Sequence, residues 1–233
     1  MPLLEVVGLS YVYPDGRQAL ADVSFALDDG EKVGLVGLNG AGKSTLLHCL
    51  SGVLQPQGSV VIGGRESVHK RGKAFSTLIG LVFQDPNDQL FMPTVYDDVA
   101  FGPRNMGLDS RLVEARVKEA LAAVGLAEYG PKLTHHMSFG EKKRAALATI
   151  LSMDPKLLLL DEPTSNLDPK RRRELISIIK ATPQAALIAT HDLAMVGAVC
   201  SRVLALRDGR LVFAGGTSIL RDRLLLEELE LAD

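Results

Sequence analysis

The stretch Gly37-Leu38-Asn39-Gly40-Ala41-Gly42-Lys43-Ser44-Thr45 constrains this chain more than any other. It has the form G-x-x-x-x-G-K-[ST], in which glycines let backbone N–H groups turn inward around phosphate oxygens. Lys32-Val33-Gly34-Leu35-Val36 before it reads as a short buried strand, and Leu46, Leu47 and Leu50 after it begin a helical pattern. Strand, loop and helix is the context the motif needs, because the helix presents its positive end to the same anion. Lys43 then reaches the β- and γ-phosphates, and the Ser44 hydroxyl ligates Mg²⁺. A chance match in a chain of this length is roughly a one-in-a-hundred event, so phosphate binding is the expected chemistry.

Around that unit, strands and helices alternate, which predicts a mostly parallel α/β sheet. Residues 3–33 read as a small antiparallel β region, with further strands at 58–63 and 78–83. Residues 87–150 read as helices and loops. Val113, Val117, Leu121 and Val124 mark one helix ending at Gly125, and a second starts near Ser138. Pro86, Pro93 and Pro103 are expected to limit regular structure over 84–105. Strands return at 157–160, 185–190 and 203–206, Arg207-Asp208-Gly209-Arg210 is a hairpin-type turn, and 217–233 is a closing helical tail.

Leu157-Leu158-Leu159-Leu160-Asp161-Glu162 is an apolar strand with two acids at its C-terminal end, the edge at which open α/β sheets bind ligands. Asp161 is placed to hold Mg²⁺ and Glu162 to polarise a water for attack on a γ-phosphate.

Composition narrows the remaining classes. With 46% hydrophobic and 23% charged residues the chain reads as globular, and no apolar run approaches the ~20 residues of a membrane span. The N-terminus lacks signal-peptide character. A net charge of −2 gives no general attraction to nucleic acid. Lys170-Arg171-Arg172-Arg173 reads as a solvated first helical turn after Asp168-Pro169. Cys49 and Cys200 show no metal spacing and read as reduced core thiols. His135-His136 is not a metal pair on this reading, since adjacent side chains point apart on a helix or strand.

Taken together, these motifs resemble the nucleotide-binding subunit of an ABC transporter over essentially the whole length. The resemblance implies a P-loop NTPase (RecA-like) core with an antiparallel β subdomain and an inserted α-helical subdomain. The core would span 1–86 and 151–216, and the helical part 87–150. It implies ATP as ligand and Mg²⁺ as cofactor. It also implies roles for further residues: Tyr13 stacks on adenine, Gln84 contacts Mg²⁺ and the attacking water, and His191 contacts the γ-phosphate. Asp168 ends the loop Ser165-Asn166-Leu167-Asp168 between dimer halves. Met137-Ser138-Phe139-Gly140-Glu141 is similar to the family's L-S-G-G-Q signature, in which Ser138 and Gly140 serve the nucleotide of the opposite subunit. Two positions depart, Phe139 and Glu141. The segment still fits an S-x-x-E capping box, and a carboxylate at Glu141 is expected to be mildly repulsive to nucleotide.

Val82-Phe83-Gln84-Asp85-Pro86-Asn87-Asp88-Gln89-Leu90-Phe91 and Val95-Tyr96-Asp97-Asp98-Val99-Ala100-Phe101-Gly102-Pro103 resemble the energy-coupling-factor (ECF) importers. There a pair of ATPase subunits drives a transmembrane coupling subunit and a substrate-capturing membrane subunit from the cytoplasmic face. The segment Ser-Phe-Gly-Glu-Lys-Lys is similar to the cobalt and nickel importers of that group. A vitamin such as biotin as cargo, or a soluble ABC-type ATPase outside transport, are the alternatives. Leu90, Phe91, Met92, Val95, Tyr96 and Phe101 offer apolar surface for docking a partner's helix.

Overall fold

The computed structural model describes residues 1–66, 77–228 and 231. Among the described residues ten strands form two sheets. A four-stranded antiparallel sheet has the order β2 (Gln18–Leu27), β1 (Leu4–Val12), β4 (Gln57–Ile62), β5 (Arg65–Glu66). A six-stranded sheet has the order β10 (Arg210–Gly216), β9 (Arg202–Arg207), β3 (Lys32–Val36), β8 (Ala185–Ala189), β7 (Leu157–Asp161), β6 (Ile79–Val82). Its strands are parallel except β10, which pairs antiparallel at the edge.

β7 shows why the sequence produces this arrangement. All five of its residues are buried, as an internal parallel strand covered on both faces requires. Leu157 and Leu159 point into one core with Leu46, Leu47 and Leu50 of helix α1 (Lys43–Leu50) and the inner face of the antiparallel sheet. Leu158 and Leu160 point into the other, packed beneath the helices. Those helices are α2 (Val95–Asn105), α3 (Ser110–Ala123), α4 (Phe139–Leu151), α5 (Pro169–Ala181) and α6 (Leu193–Val199). α2, α3 and α4 fall in sequence between β6 and β7.

Several expectations need correction. α2 forms despite the prolines around it: Thr94 caps its N-terminus, accepting from the Asp97 N–H at 3.1 Å, and Pro103 lies in its last turn. The Pro103 ring leaves the Val99 carbonyl without a helical partner, and Ser152 Oγ donates to it at 2.8 Å. His135 and His136 do not point apart; in a single 3₁₀ turn their rings stack edge-on with centroids 4.2 Å apart. The basic run is less solvated than expected, because Arg172 grips Asp192 with two bonds of 2.6 Å. β10 extends the hairpin at Asp208-Gly209 into an edge strand. At the C-terminus a 3₁₀ turn (Thr217–Arg221) and a short α7 (Arg223–Glu228) are present, and the rest of the expected tail, 231 apart, lies outside the described residues. Cys49 and Cys200 are buried free thiols, which burial pushes up to about 12.

Candidate active site

Strands β3, β8, β7 and β6 are consecutive in the parallel sheet, so their C-terminal ends share one rim. β3 runs into the glycine loop, β8 into Thr190 and His191, β7 into Asp161 and Glu162, and β6 toward Gln84. Segments far apart in sequence therefore converge, on a cleft of about 380 Å³. Tyr13, Asn39, Gly40, Gly42, Lys43, Ser44, Thr45, Gln84, Asp161, Glu162 and His191 line it. Gly37 and Ala41 shape the loop from behind. A Cβ on Gly37, at φ +152°, would lie 2.2 Å from the Leu206 carbonyl oxygen, and one on Gly42, at φ +106°, 2.7 Å from that of Ala19. Only glycine fits these two positions.

Lys43 folds over its own loop, donating from Nζ to the carbonyls of Gly37 at 2.7 Å and Leu38 at 3.1 Å. Burial lowers its pKa, opposed by the charges of Glu162 and Asp161. Asp161 is shifted the other way: burial raises its pKa, a hydrogen bond with Ser44 opposes this, and the Glu162 charge adds to the rise. Asp161 Oδ1 is buried with no hydrogen-bond partner. An orphaned carboxylate oxygen beside a hydroxyl is the kind of donor set Mg²⁺ takes, since that ion uses one or two carboxylates and fills its shell with phosphate and water. Among the described residues no group of three or more His, Cys, Asp or Glu side chains is arranged to hold a metal ion by itself.

Glu162 is 7% exposed and has φ +42°, the left-handed region that costs a non-glycine residue on the order of 1 kcal/mol. Its backbone N–H is anchored to the Ala189 carbonyl at 2.8 Å. The carboxylate is gripped at both oxygens. Thr190 Oγ1 donates to Oε2 at 3.1 Å, the His191 N–H donates to Oε1 at 3.2 Å, and His191 Nδ1 lies 2.9 Å from the same oxygen. Thr190 Oγ1 accepts from the Asp192 N–H at 3.0 Å.

Three cleft residues were not anticipated from sequence: Arg17, Gln18 and Ala19. They follow the Pro14-Asp15-Gly16 turn, so the returning strand begins level with Tyr13; that turn was the available signal. The Arg17 guanidinium sits 4.7 Å from the centre of the Tyr13 ring, and Tyr13 Oη is 3.0 Å from Thr45 Oγ1. Lys143 was also missed. It is 2% exposed, and its Nζ donates to the carbonyls of Gln84 at 2.7 Å and Glu162 at 2.9 Å and to Ser165 Oγ at 3.3 Å. Burial pushes its ammonium down to about 8, against the pull of Glu162, Asp85 and Asp161. Helical spacing with Ala146, Leu147 and Ile150 was the signal that this lysine faces inward.

Ser138, Gly140 and Asp168 do not line the cleft of their own chain. Ser138 caps α4 in a reciprocal box with Glu141. Gly140 packs near Leu167 and Arg171, where a Cβ would come within 3.3 Å of the Arg171 side chain. Asp168 caps α5, accepting from the N–H groups of Lys170 and Arg171. Glu141 is engaged in the expected capping box and in further contacts. Its Oε2 accepts from the Ser138 N–H at 2.8 Å, Oε1 accepts from Tyr129 Oη at 2.7 Å, and Lys132 lies 3.4 Å away. Burial opposes its ionisation, but these hydrogen bonds and the Lys132 charge outweigh burial and hold the carboxyl at about 2.

A glycine loop before a helix, with an acidic pair at the end of a strand two places along the same parallel sheet, defines a P-loop nucleotide triphosphatase. The ABC transporter family profile matches residues 20–165. A putative ABC transporter ATP-binding protein of Streptomyces avermitilis is 47% identical over 220 residues, covering 94% of this chain and 84% of the relative. The energy-coupling factor transporter ATP-binding protein EcfA of Methanosphaera stadtmanae is 41% identical over 236 residues, covering 98% and 85%. The structure of CbiO1 from Clostridium perfringens, part of the ABC transporter complex cbiONQ, superposes with a TM-score of 0.86 at 36% identity over 97% of this chain and 93% of that one. The chain belongs to the ABC transporter family, as an ATP-hydrolysing subunit of the energy-coupling-factor type.

Proposed function

We propose that this subunit powers an importer of cobalt or nickel ions. It would act as one of a pair of ATPase subunits beneath a transmembrane coupling subunit and a substrate-capturing subunit, at the cytoplasmic face of the membrane. The observation that carries the motor reading is the convergence of Lys43, Asp161, Glu162 and His191 from adjacent strand ends on one cleft. The cargo reading is supported by the Ser-Phe-Gly-Glu-Lys-Lys segment and by the likeness to CbiO1 of the cbiONQ complex.

In this reading the loop N–H groups and Lys43 take the β- and γ-phosphates of ATP, Lys43 exchanging its loop carbonyls for phosphate oxygens. Tyr13 stacks on adenine. Ser44, Gln84 and Asp161 hold Mg²⁺, which when bound neutralises charge on the phosphate oxygens. Glu162, fixed by Thr190 and His191, accepts a proton from the attacking water, which Gln84 also contacts, while His191 contacts the γ-phosphate. Ser138 and Gly140 lie outside their own cleft and complete the site of a second subunit, with Asp168 in the loop between the two. ATP then bridges the pair, and hydrolysis releases it.

The test is uptake of labelled cobalt and nickel by cells expressing the chain with its neighbouring membrane genes, with Glu162→Gln alongside and biotin as control cargo. Metal uptake that falls at least tenfold in Glu162→Gln supports motor and cargo together. Biotin uptake without metal uptake would leave the motor and overturn the cargo.

A further inference from the structure

Lys143 has no part in the phosphate chemistry: it does not line the cleft. Yet it is among the largest fully buried side chains in the molecule. An ammonium carries three donors and no acceptor, and three acceptors meet it: the Gln84 carbonyl, the Glu162 carbonyl and Ser165 Oγ. Ser165 Oγ itself donates to the Glu162 carbonyl at 2.8 Å, so the three form one network. The Phe139 ring, one turn earlier on α4, lies 5.6 Å from Nζ. The nearby charges are the carboxylates of Glu162, Asp85 and Asp161.

These partners come from different places. Gln84 follows β6, Glu162 follows the neighbouring β7, Ser165 leads toward α5, and Lys143 stands on the helix whose N-cap is Ser138. We infer that Lys143 is a positioning residue that locks Gln84 and Glu162 to the helix carrying Ser138. Reorientation of α4 when Ser138 meets the partner's nucleotide then moves the reactive pair of this chain's own site. The inference rests on the reading of Gln84, Glu162 and Ser138 given above. Burial makes the lock stiff, because losing the ammonium strips the Gln84 carbonyl of this partner and leaves the buried Glu162 carbonyl to Ser165 alone.

The experiment compares the full-length chain with Lys143→Met, Lys143→Gln and Lys143→Arg. It measures steady-state ATP hydrolysis and binding of a fluorescent ATP analogue, with Glu162→Gln as reference. For Lys143→Met, kcat falls tenfold or more while KM and analogue affinity stay within threefold of wild type. Lys143→Arg retains the most activity, and Lys143→Gln, with two donors on a shorter stem, falls between. A Lys143→Met kcat within twofold of wild type overturns the inference, as does parallel loss of binding and hydrolysis. Should Lys143→Met fail to fold, Arg and Gln variants of equal activity overturn it. Hydrolysis persisting in Glu162→Gln would instead overturn the reading of the site, and the inference with it.

Discussion

Thr190 holds the Glu162 carboxylate without entering the cleft. It is fully buried, donates to Glu162 Oε2 and accepts from the Asp192 N–H. Thr190→Val keeps the shape but strands both partners, and an unpaired buried polar group costs about 1–3 kcal/mol. The expected result is a kcat lowered roughly tenfold, about 1.4 kcal/mol of lost transition-state stabilisation, with KM for ATP unchanged. Steady-state kinetics check this, and a raised KM with normal kcat would move Thr190 from positioning to binding. At this scale most of the groups that line the cleft were legible, because phosphate chemistry demands particular residue types: glycine where a Cβ would strike a carbonyl, and paired acids at a strand end. Thr190 and Lys143 were not, because their contribution is depth and partnership, which residue type alone does not encode.

α4 begins with a polar assembly that substitutes for an open helix end. Ser138 and Glu141 cap one another, and Tyr129 and Lys132 reach over to Glu141 from the preceding loop. The box could be read from S-x-x-E, whereas the Tyr129 and Lys132 partners depend on how the preceding turn folds. Glu141 titrates near 4.5 when unfolded and at about 2 when folded. Its stabilisation is therefore complete above pH 4.5 and is lost as pH falls through about 2. Glu141→Gln is expected to cost about 1–2 kcal/mol at pH 7, from the cap and the charged hydrogen bonds together. Urea denaturation at pH 7, 4.5 and 3 should show the gap between wild type and variant shrinking below 4.5. A gap independent of pH would place the stabilisation elsewhere. α2 gives the opposite lesson: its prolines suggested irregular backbone, and a serine from the end of α4 repairs the one carbonyl that Pro103 releases.

At the scale of the whole molecule, alternating strands and helices announced a parallel sheet, but its order could not be read. β3 lies between β8 and β9 because crossovers bring late strands beside an early one, and no local pattern records that. The sheet's rim opens on the cleft, and α2 with the loop before it sets out an apolar patch. Phe91 and Phe101 are 64% and 43% exposed and stack edge-on with centroids 4.9 Å apart. Val95 and Val99, by contrast, are fully buried, so only part of the apolar run serves the core. Buried Asp98 fixes the loop, accepting the N–H groups of Phe91 and Met92 at 3.0 Å each. Exposed aromatics held on a pinned backbone suit the anchoring of a partner helix. If this is where the membrane coupling subunit docks, the double variant Phe91→Ser, Phe101→Ser separates motor from transporter. Hydrolysis by the detached subunit should stay within twofold of wild type, since neither ring lines the cleft. Co-purification with the membrane subunits should fall tenfold or more, and metal uptake with it. Asp98→Asn, which keeps the acceptor oxygen, should have a milder effect in the same direction. Normal co-purification by the double variant would remove this surface from the docking reading and leave the ATPase assignment intact.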